Sequence, residues 1–297
     1  MNSIYYYKVA HHTYKVVFAD ETNSVELLPS SEVFKQDEES AKDGPLLFTL
    51  TVDDKFRPAK KGEEIGQSDC GGCNHGVYQT EDGKYQILIS DERQRQACLI
   101  EANADFTEGH VALNGTYSMR TFGLNNALMM MFAFAAADKL TVLMHASVIR
   151  KDGIGYLCLG VSGTGKSTHT ANWLKYIPGT DLMNDDNPVV RVIDGVATVY
   201  GSPWSGKTPC YRDVEAPIGG FLQLKQAPHN IIRRQSVVEA FASLLPSCSV
   251  MKWDRRDYIG TCDTVQALIE RVPTFFFENL PNEEAVWMSY NAMSKKG

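Results

Sequence analysis

The hydrophobic positions along the chain fall into two regimes. From the start to about residue 116 they come in short β-rich runs. YYYKVA and TYKVVFA flank His11 and His12, LLFTLTV follows at 46–52, and GVYQT and KYQILIS flank Glu81-Asp82-Gly83. Asp-Gly between apolar runs signals a hairpin, so the last two are expected to pair across a two-residue turn. QACLIEA (96–102) is a further candidate strand, while QDEESAKDG (36–44) and the stretch 53–69 read as loops. From Tyr117 to Ala137 apolar residues surround a helix almost completely, which predicts a buried helix. Met129-Met130-Met131 within it reads as core, because methionine fills irregular gaps.

Past Lys139 the strands return. LTVLMHASVI and IGYLCLG enclose Asp152-Gly153, and a two-residue turn there sets His145 opposite Gly160. DLMNDDNPVVRVI precedes Asp194-Gly195, and a similar turn sets Asp185 opposite Trp204 and Asp186 opposite Pro203. APIGGFLQLKQ (216–226) and TFFFEN (274–279) are further strands. Helices are expected behind Ser236, which forms a capping box with Glu239, and behind Asp263 and Asn282 as caps. The pattern is α/β with many antiparallel hairpins: a β-rich domain over 1–116, then a second domain over 117–297.

Composition narrows the class. The 297 residues are 43% apolar and 22% charged, an ordinary globular balance. The net charge of −7 argues against a nucleic-acid or anionic-membrane binder, which would carry a basic surplus. That charge is uneven. Residues 1–120 hold 12 basic against 20 acidic side chains, and residues 121–297 hold 17 against 16. Seven cysteines, an odd number scattered through apolar segments, fit a reducing compartment. The N-terminus lacks the basic and apolar regions of a signal peptide, and the apolar stretch 124–137 is shorter than the ~18 residues that span a bilayer. A cytoplasmic protein is expected. Cys70-Gly-Gly-Cys73 with His75 has metal-like spacing, but no second such pair exists; a Gly-rich turn is favoured over a zinc site or a redox pair.

The strongest chemistry lies at residues 160–167, Gly-Val-Ser-Gly-Thr-Gly-Lys-Ser, a full match to G-x-x-x-x-G-K-[ST] between a strand and a helix. Gly160, Ser162, Gly163, Thr164 and Gly165 would fold the backbone around phosphate oxygens, with Thr168 in the first turn of the helix behind them. Lys166 would place a positive charge on the β/γ-phosphates, and Ser167 a hydroxyl on Mg²⁺. Asp185 and Asp186 return only 18 and 19 residues after Ser167. Paired carboxylates beside a nucleotide suit phosphoryl transfer, and strand neighbours face opposite ways, so the two are expected to do different jobs. His145 is a candidate to touch the γ-phosphate or tune an Asp, and Lys207 to neutralise developing charge. Arg212 is a weaker candidate for that role. Each of these side chains also has an ordinary structural reading, and Trp204 reads equally as a stacking platform or as core.

Residues 140–205, with HASVI led by His145, the GVSGTGKS loop and the quick return to LMNDDNPVV, resemble the HPr kinase/phosphorylase and phosphoenolpyruvate carboxykinase superfamily. The tail LIERVPTFFFENLPNEEAV is similar to the end of smaller HPr-kinase-related proteins found beside peptide-modification genes. The resemblance implies a phosphoenolpyruvate carboxykinase-like P-loop kinase core with a mixed sheet, preceded by the β-rich part. It implies ATP and Mg²⁺ as cofactors, with Lys166 and the loop on ATP, Ser167 and Asp185 on Mg²⁺, and Asp186 as catalytic base. The Gly-Arg-Asn-type signature of HPr kinases is absent from the C-terminal part, and the β-rich part does not match theirs. The expected activity is transfer of a γ-phosphate to a hydroxyl of a protein, peptide or small-molecule acceptor, with no nucleic acid or membrane as partner and homo-oligomerisation left open. The alternatives are a non-catalytic nucleotide-binding regulator and a carboxykinase-like enzyme acting on a phosphorylated metabolite.

Overall fold

The computed structural model describes residues 2–19, 21–70, 73–161, 163–206 and 208–294, and for residues 68–70, 73 and 74 the backbone alone. Contacts divide the chain into two units, Met1–Ala136 with Met251–Asp254, and Ala137–Val250 with Arg255–Gly297.

The first unit is built on one nine-stranded sheet. Its strands are β1 (Ser3–Val9), β2 (His12–Phe18), β3 (Lys35–Gln36), β4 (Leu46–Val52), β5 (Glu63–Cys70), β6 (Cys73–Gln79), β7 (Tyr85–Ser90), β8 (Gln96–Ala102) and β9 (Glu108–Leu113), in the order β3-β1-β2-β4-β9-β8-β7-β6-β5. Strand β2 shows the half-buried alternation from which such sheets are read: His12, Tyr14, Val16 and Phe18 point inward while the residues between them are partly exposed. Two expectations change. The stretch 53–69 is not all loop, since Glu63–Cys70 forms β5 and pairs with β6. Its polar side chains hid it, for a strand at a sheet edge need not alternate with apolar residues. The Asp82-Gly83 hairpin closes with three loop residues rather than two: Gly83 N–H donates to Thr80 O at 2.9 Å with φ +82°. Helix α1 (Tyr117–Ala136) forms where expected, packs on β4, β7, β8 and β9, and is buried throughout Ala127–Ala136. Because it packs on that sheet, α1 groups with it, and the contacts divide after Ala136.

The second unit is a three-layer α/β arrangement. Its strands are β10 (Thr141–Leu143), β11 (Ala146–Lys151), β12 (Ile154–Leu159), β13 (Thr180–Asp186), β14 (Val189–Ile193), β15 (Val196–Tyr200), β16 (Glu215–Gln226), β17 (Ile231–Arg234) and β18 (Thr274–Asn279). They run β10-β14-β15-β16-β12-β11-β13, with β18 on β16 and β17 on β18. The sheet is mixed: β12, β16 and β18 are mutually parallel, while the hairpins β11/β12 and β14/β15 are antiparallel. Strand β12 is buried on both faces, which explains its unbroken apolar run. Leu157 and Leu159 join the core with Val265 and Leu268; Tyr156 and Cys158 join the opposite core with Trp173 and Val286. Helices α2 (Lys166–Tyr176) and α5 (Glu283–Ser294) thus cover one face, and α3 (Val237–Leu244) and α4 (Arg255–Ile269) the other.

Both other Asp-Gly turns hold as expected. Asp152 and Gly153 have φ of +50° and +77°, and Asp194 and Gly195 +50° and +80°, the positive pair that a two-residue primed turn requires. Ser236 and Glu239 form the reciprocal capping box, and Asn282 Oδ1 accepts from Ala285 N–H at 3.0 Å. Asp263 is not a cap: α4 starts eight residues earlier, at Arg255. Its core-facing residues include Asp257, Gly260, Thr261 and Thr264, a small and polar stripe that hydrophobic patterning does not flag. Cys98, Cys158, Cys210, Cys248 and Cys262 are free thiols. Among the described residues no helix is long and apolar enough to cross a membrane.

Candidate functional site

The centre of the site is what β12 delivers at its carboxyl end. The chain leaves Leu159, turns through the Gly-rich loop and enters α2 at Lys166 with Gly165 as its N-cap. Three glycines make this possible: Gly160, Gly163 and Gly165 have φ of +147°, +84° and +94°. At Gly160 a Cβ would also stand 2.5 Å from Thr164 Oγ1. Thr164 closes the loop internally, its N–H and hydroxyl both donating to Val161 O, at 3.2 and 2.8 Å. Gln226 holds it from outside, its Nε2 donating to Gly163 O at 3.0 Å. Ser162 lies outside the described residues. Ser167 and Thr168 are exposed in the first turn of α2, where helix N–H groups have no partner within the helix.

Lys166 does not point into bulk water. Its Nζ donates to Gly160 O at 2.7 Å and lies 3.0 Å from His145 Nε2. On the other side of that ring, His145 Nδ1 is 3.0 Å from Asp186 Oδ1. A neutral imidazole fits both contacts, with Nδ1–H donating to the carboxylate and the Nε2 lone pair accepting from the ammonium. Asp186, His145 and Lys166 form one connected chain. Burial pulls the Lys166 ammonium below the ordinary lysine range, and the carboxylates of Asp186 and Asp185 pull it back up in part.

The two aspartates have different partners, as their alternation on a strand predicts. Asp185 is buried and its Oδ1 lies 3.5 Å from Ser167 Oγ. Asp186 Oδ2 accepts from Asn187 Nδ2 at 3.1 Å while Oδ1 faces His145. Asp186 also sits at φ +114°, where a side-chain-bearing residue is strained. Ser167 Oγ and Asp185 Oδ1 are two hard oxygens at the spacing of neighbouring ligands, so this pair fits Mg²⁺, which takes one or two carboxylates and completes its shell with water and phosphate. Among the described residues no three His, Cys, Asp or Glu side chains gather into an all-protein metal cage.

The pairing that assembles the site differs from the expected one. The β11/β12 hairpin has the expected register, Ala146 opposite Leu159, which brings His145 beside Gly160. The β14/β15 hairpin also has the expected register, Val189 opposite Tyr200, but it does not carry the aspartates. They end β13, which pairs with β11 so that Ala146 faces Asp186 and Ser147 faces Asp185. The segment after β15 returns along β13 shifted by two residues: Asp186 bridges to Ser205, not Pro203, and Asp185 O accepts from Gly206 N–H at 2.6 Å. A bulge-free extrapolation of the hairpin misses this because the chain leaves the sheet at Gly201.

No family model matches the chain, and no curated protein matches it. Among solved structures, the HPr(Ser) kinase/phosphatase from Coxiella burnetii is similar at 12% identity and a TM-score of 0.30, over 50% of this chain and 96% of that one. A likeness this slight carries no weight for fold or function, and the residues themselves must.

Lys207 lies outside the described residues. Arg212 is committed elsewhere: it donates to Leu182 O and pairs with Asp181 at 2.8 Å, alongside Arg150. It is therefore a clamp on β13 and not a free cation for the site. Trp204 is buried and offers no open face for stacking. His75 is buried too, its Nδ1 3.4 Å from Ser90 N, and Cys70 and Cys73 have no described side chains. Sequence reading missed Asn184 and Ser202. Asn184 is fully buried; its Nδ2 donates to Ser202 Oγ and Trp204 O, and its Oδ1 accepts from Asn187 N–H. The two residues fasten the segment after β15 to the end of β13. The only signal in the sequence was an Asn flanking the Asp pair on each side.

Proposed function

We propose that this chain is a phosphotransferase of P-loop type, binding a nucleoside triphosphate with Mg²⁺ at residues 160–168 and transferring its γ-phosphate to an acceptor hydroxyl. The observation that carries the reading is the connected chain from Lys166 through His145 to Asp186, lying beside the Ser167–Asp185 oxygen pair at the mouth of a Gly-rich loop. A loop that only binds phosphate needs its glycines, its lysine and a helix; it does not need a second carboxylate oriented by histidine.

In this reading the loop N–H groups and the start of α2 hold the phosphates, and Lys166 moves its ammonium onto the β/γ oxygens. Ser167 and Asp185 would hold Mg²⁺, which would neutralise charge on the transferring group. Asp186 is the base. The acceptor O–H proton passes to its carboxylate, the acceptor oxygen bonds to the γ-phosphorus, and the bond from phosphorus to the bridging β-oxygen breaks to release the nucleoside diphosphate. His145 aims Asp186 by donating Nδ1–H to it. The nucleotide is ATP, and the chain is a distant relative of HPr kinases and carboxykinases in this reading.

Asp186→Asn tests it. Mg²⁺–ATP binding measured by calorimetry should survive, while transfer of label from γ-labelled ATP to acceptors in a lysate of the source cell should drop by at least a hundredfold. Retained transfer would refute Asp186 as base. Transfer absent from the wild-type protein, with binding intact, would favour a nucleotide-binding regulator.

A further inference from the structure

The two sides of the Gly-rich loop are not alike, and the difference points to where the rest of a nucleotide goes. The loop leaves β12, which has β11 and β13 on one side and β16 on the other. His145, Asp185 and Asp186 all stand on the β11/β13 side. If phosphate transfer occurs there, the γ end of the nucleotide faces that side, and its nucleoside leaves over β16 and β18. Those strands run parallel to β12, so their carboxyl ends open beside the loop, where crevices of α/β sheets bind ligands. Gly160 lies directly against this end, its Cβ direction 3.4 Å from Leu224 O.

A cleft is present at that place. It is lined by the loop residues Val161 and Thr164 and by Gln223, Lys225, Gln226 and Phe276. Pairing puts Gln223 beside Phe276 and Lys225 beside Glu278, hence on one face of the sheet. Helices α3 and α4 cover this face at Phe221 but not at its carboxyl end, where Lys225 is exposed and Phe276 half-buried. Val161, an apolar side chain in the loop, is 74% exposed. Lys225 and Glu278 are paired at 2.9 Å.

Resting on the phosphotransferase reading, we infer that this cleft is the nucleoside subsite. The base lies against Val161 and beside Phe276, whose ring carries the cations of Arg233 and Lys225 at 5.2 and 6.0 Å from its centroid, and its polar edge meets the amide of Gln223. Gln226 is a positioning residue: it ties the loop to β16, so the phosphate and nucleoside halves of the site are fixed to each other.

Competition binding on the full chain separates this inference from the reading beneath it. Two probes are titrated with Mg²⁺, ATP and inorganic tripolyphosphate. Wild-type protein should bind ATP at least tenfold more tightly. Phe276→Ala and Gln223→Ala should each erase most of that margin while tripolyphosphate affinity stays within about twofold; Gln223→Ala shortens a half-buried side chain outside the loop, so it keeps the test valid if Phe276→Ala folds poorly. Equal wild-type affinity for the two probes, or variants that leave the ATP margin intact, would overturn the subsite alone. Failure of wild-type protein to bind either probe would overturn the phosphotransferase reading and the subsite with it.

Discussion

Asp186 holds its carboxylate against His145 from a backbone conformation that costs stability. Its φ of +114° is a conformation that costs a side-chain-bearing residue about 1–3 kcal/mol. Two substitutions isolate that cost. Asp186→Ala and Asp186→Gly both remove the carboxylate and its contacts to His145 and Asn187, so they lose the same bonds. They differ in the backbone: alanine keeps the strain, while glycine relieves it and adds about 0.5–1 kcal/mol of unfolded-chain entropy. The net expectation is that Asp186→Gly is more stable than Asp186→Ala by about 1 kcal/mol. Gly206, whose Cβ direction falls 2.9 Å from Asp186 Cβ, stays unfilled in both variants and does not bias the comparison. Urea unfolding followed by circular dichroism reads the difference, and neither variant should transfer phosphate. An alanine variant more stable than the glycine one by about 0.5–1 kcal/mol would show that the backbone here is not strained and that the carboxylate is not held in place at the expense of stability.

Lys166→Ala should weaken Mg²⁺–ATP binding at least tenfold in calorimetry yet leave the unfolding free energy within about 1 kcal/mol, because burial already disfavours its charge. His169 is buried against Trp173 and Ser289, and burial pulls its pKa down to about 4. The unfolded chain therefore binds a proton below about pH 6.5 that the folded chain refuses, so this contribution is complete above that pH and is lost as pH falls towards 4. Paired denaturation curves at pH 7 and pH 4 should show the stability advantage of wild type over His169→Gln shrinking by about 3 kcal/mol. A Cβ at Gly201 would stand 1.9 Å from Arg212 O, so Gly201→Ala should cost about 3 kcal/mol and displace the segment over β13. Gly44→Ala, with open space around it, should leave the melting temperature unchanged.

The resolved geometry also sorts the cysteines and the basic side chains. Cys158 is buried one residue from the end of the strand that delivers the loop, and burial pushes its thiol up to about 12, which leaves it unreactive. Arg212, in contrast with Lys166, spends its charge on Asp181 and a backbone carbonyl. A cation near a site in sequence is thus not a cation in the site; what each cation bonds to separates the two.

What the sequence by itself determined is local. The turns at Asp152-Gly153 and Asp194-Gly195, the Ser236 capping box, α1 and the Gly-rich loop each depend on residues a few positions apart, and their φ values and caps are those the residue types demand. His145 beside Gly160 follows from one short hairpin and was legible for the same reason. Tertiary structure decided the rest. Asp186 meets His145 because β13 pairs antiparallel with β11 across an intervening helix, a contact between segments some 40 residues apart that no turn signal encodes. Strand β5 and the first half of α4 were invisible to hydrophobic period because one is polar at a sheet edge and the other buries small and polar residues. The Gly-rich loop is local; the strand pairing around it decides which carboxylates and which histidine stand beside it.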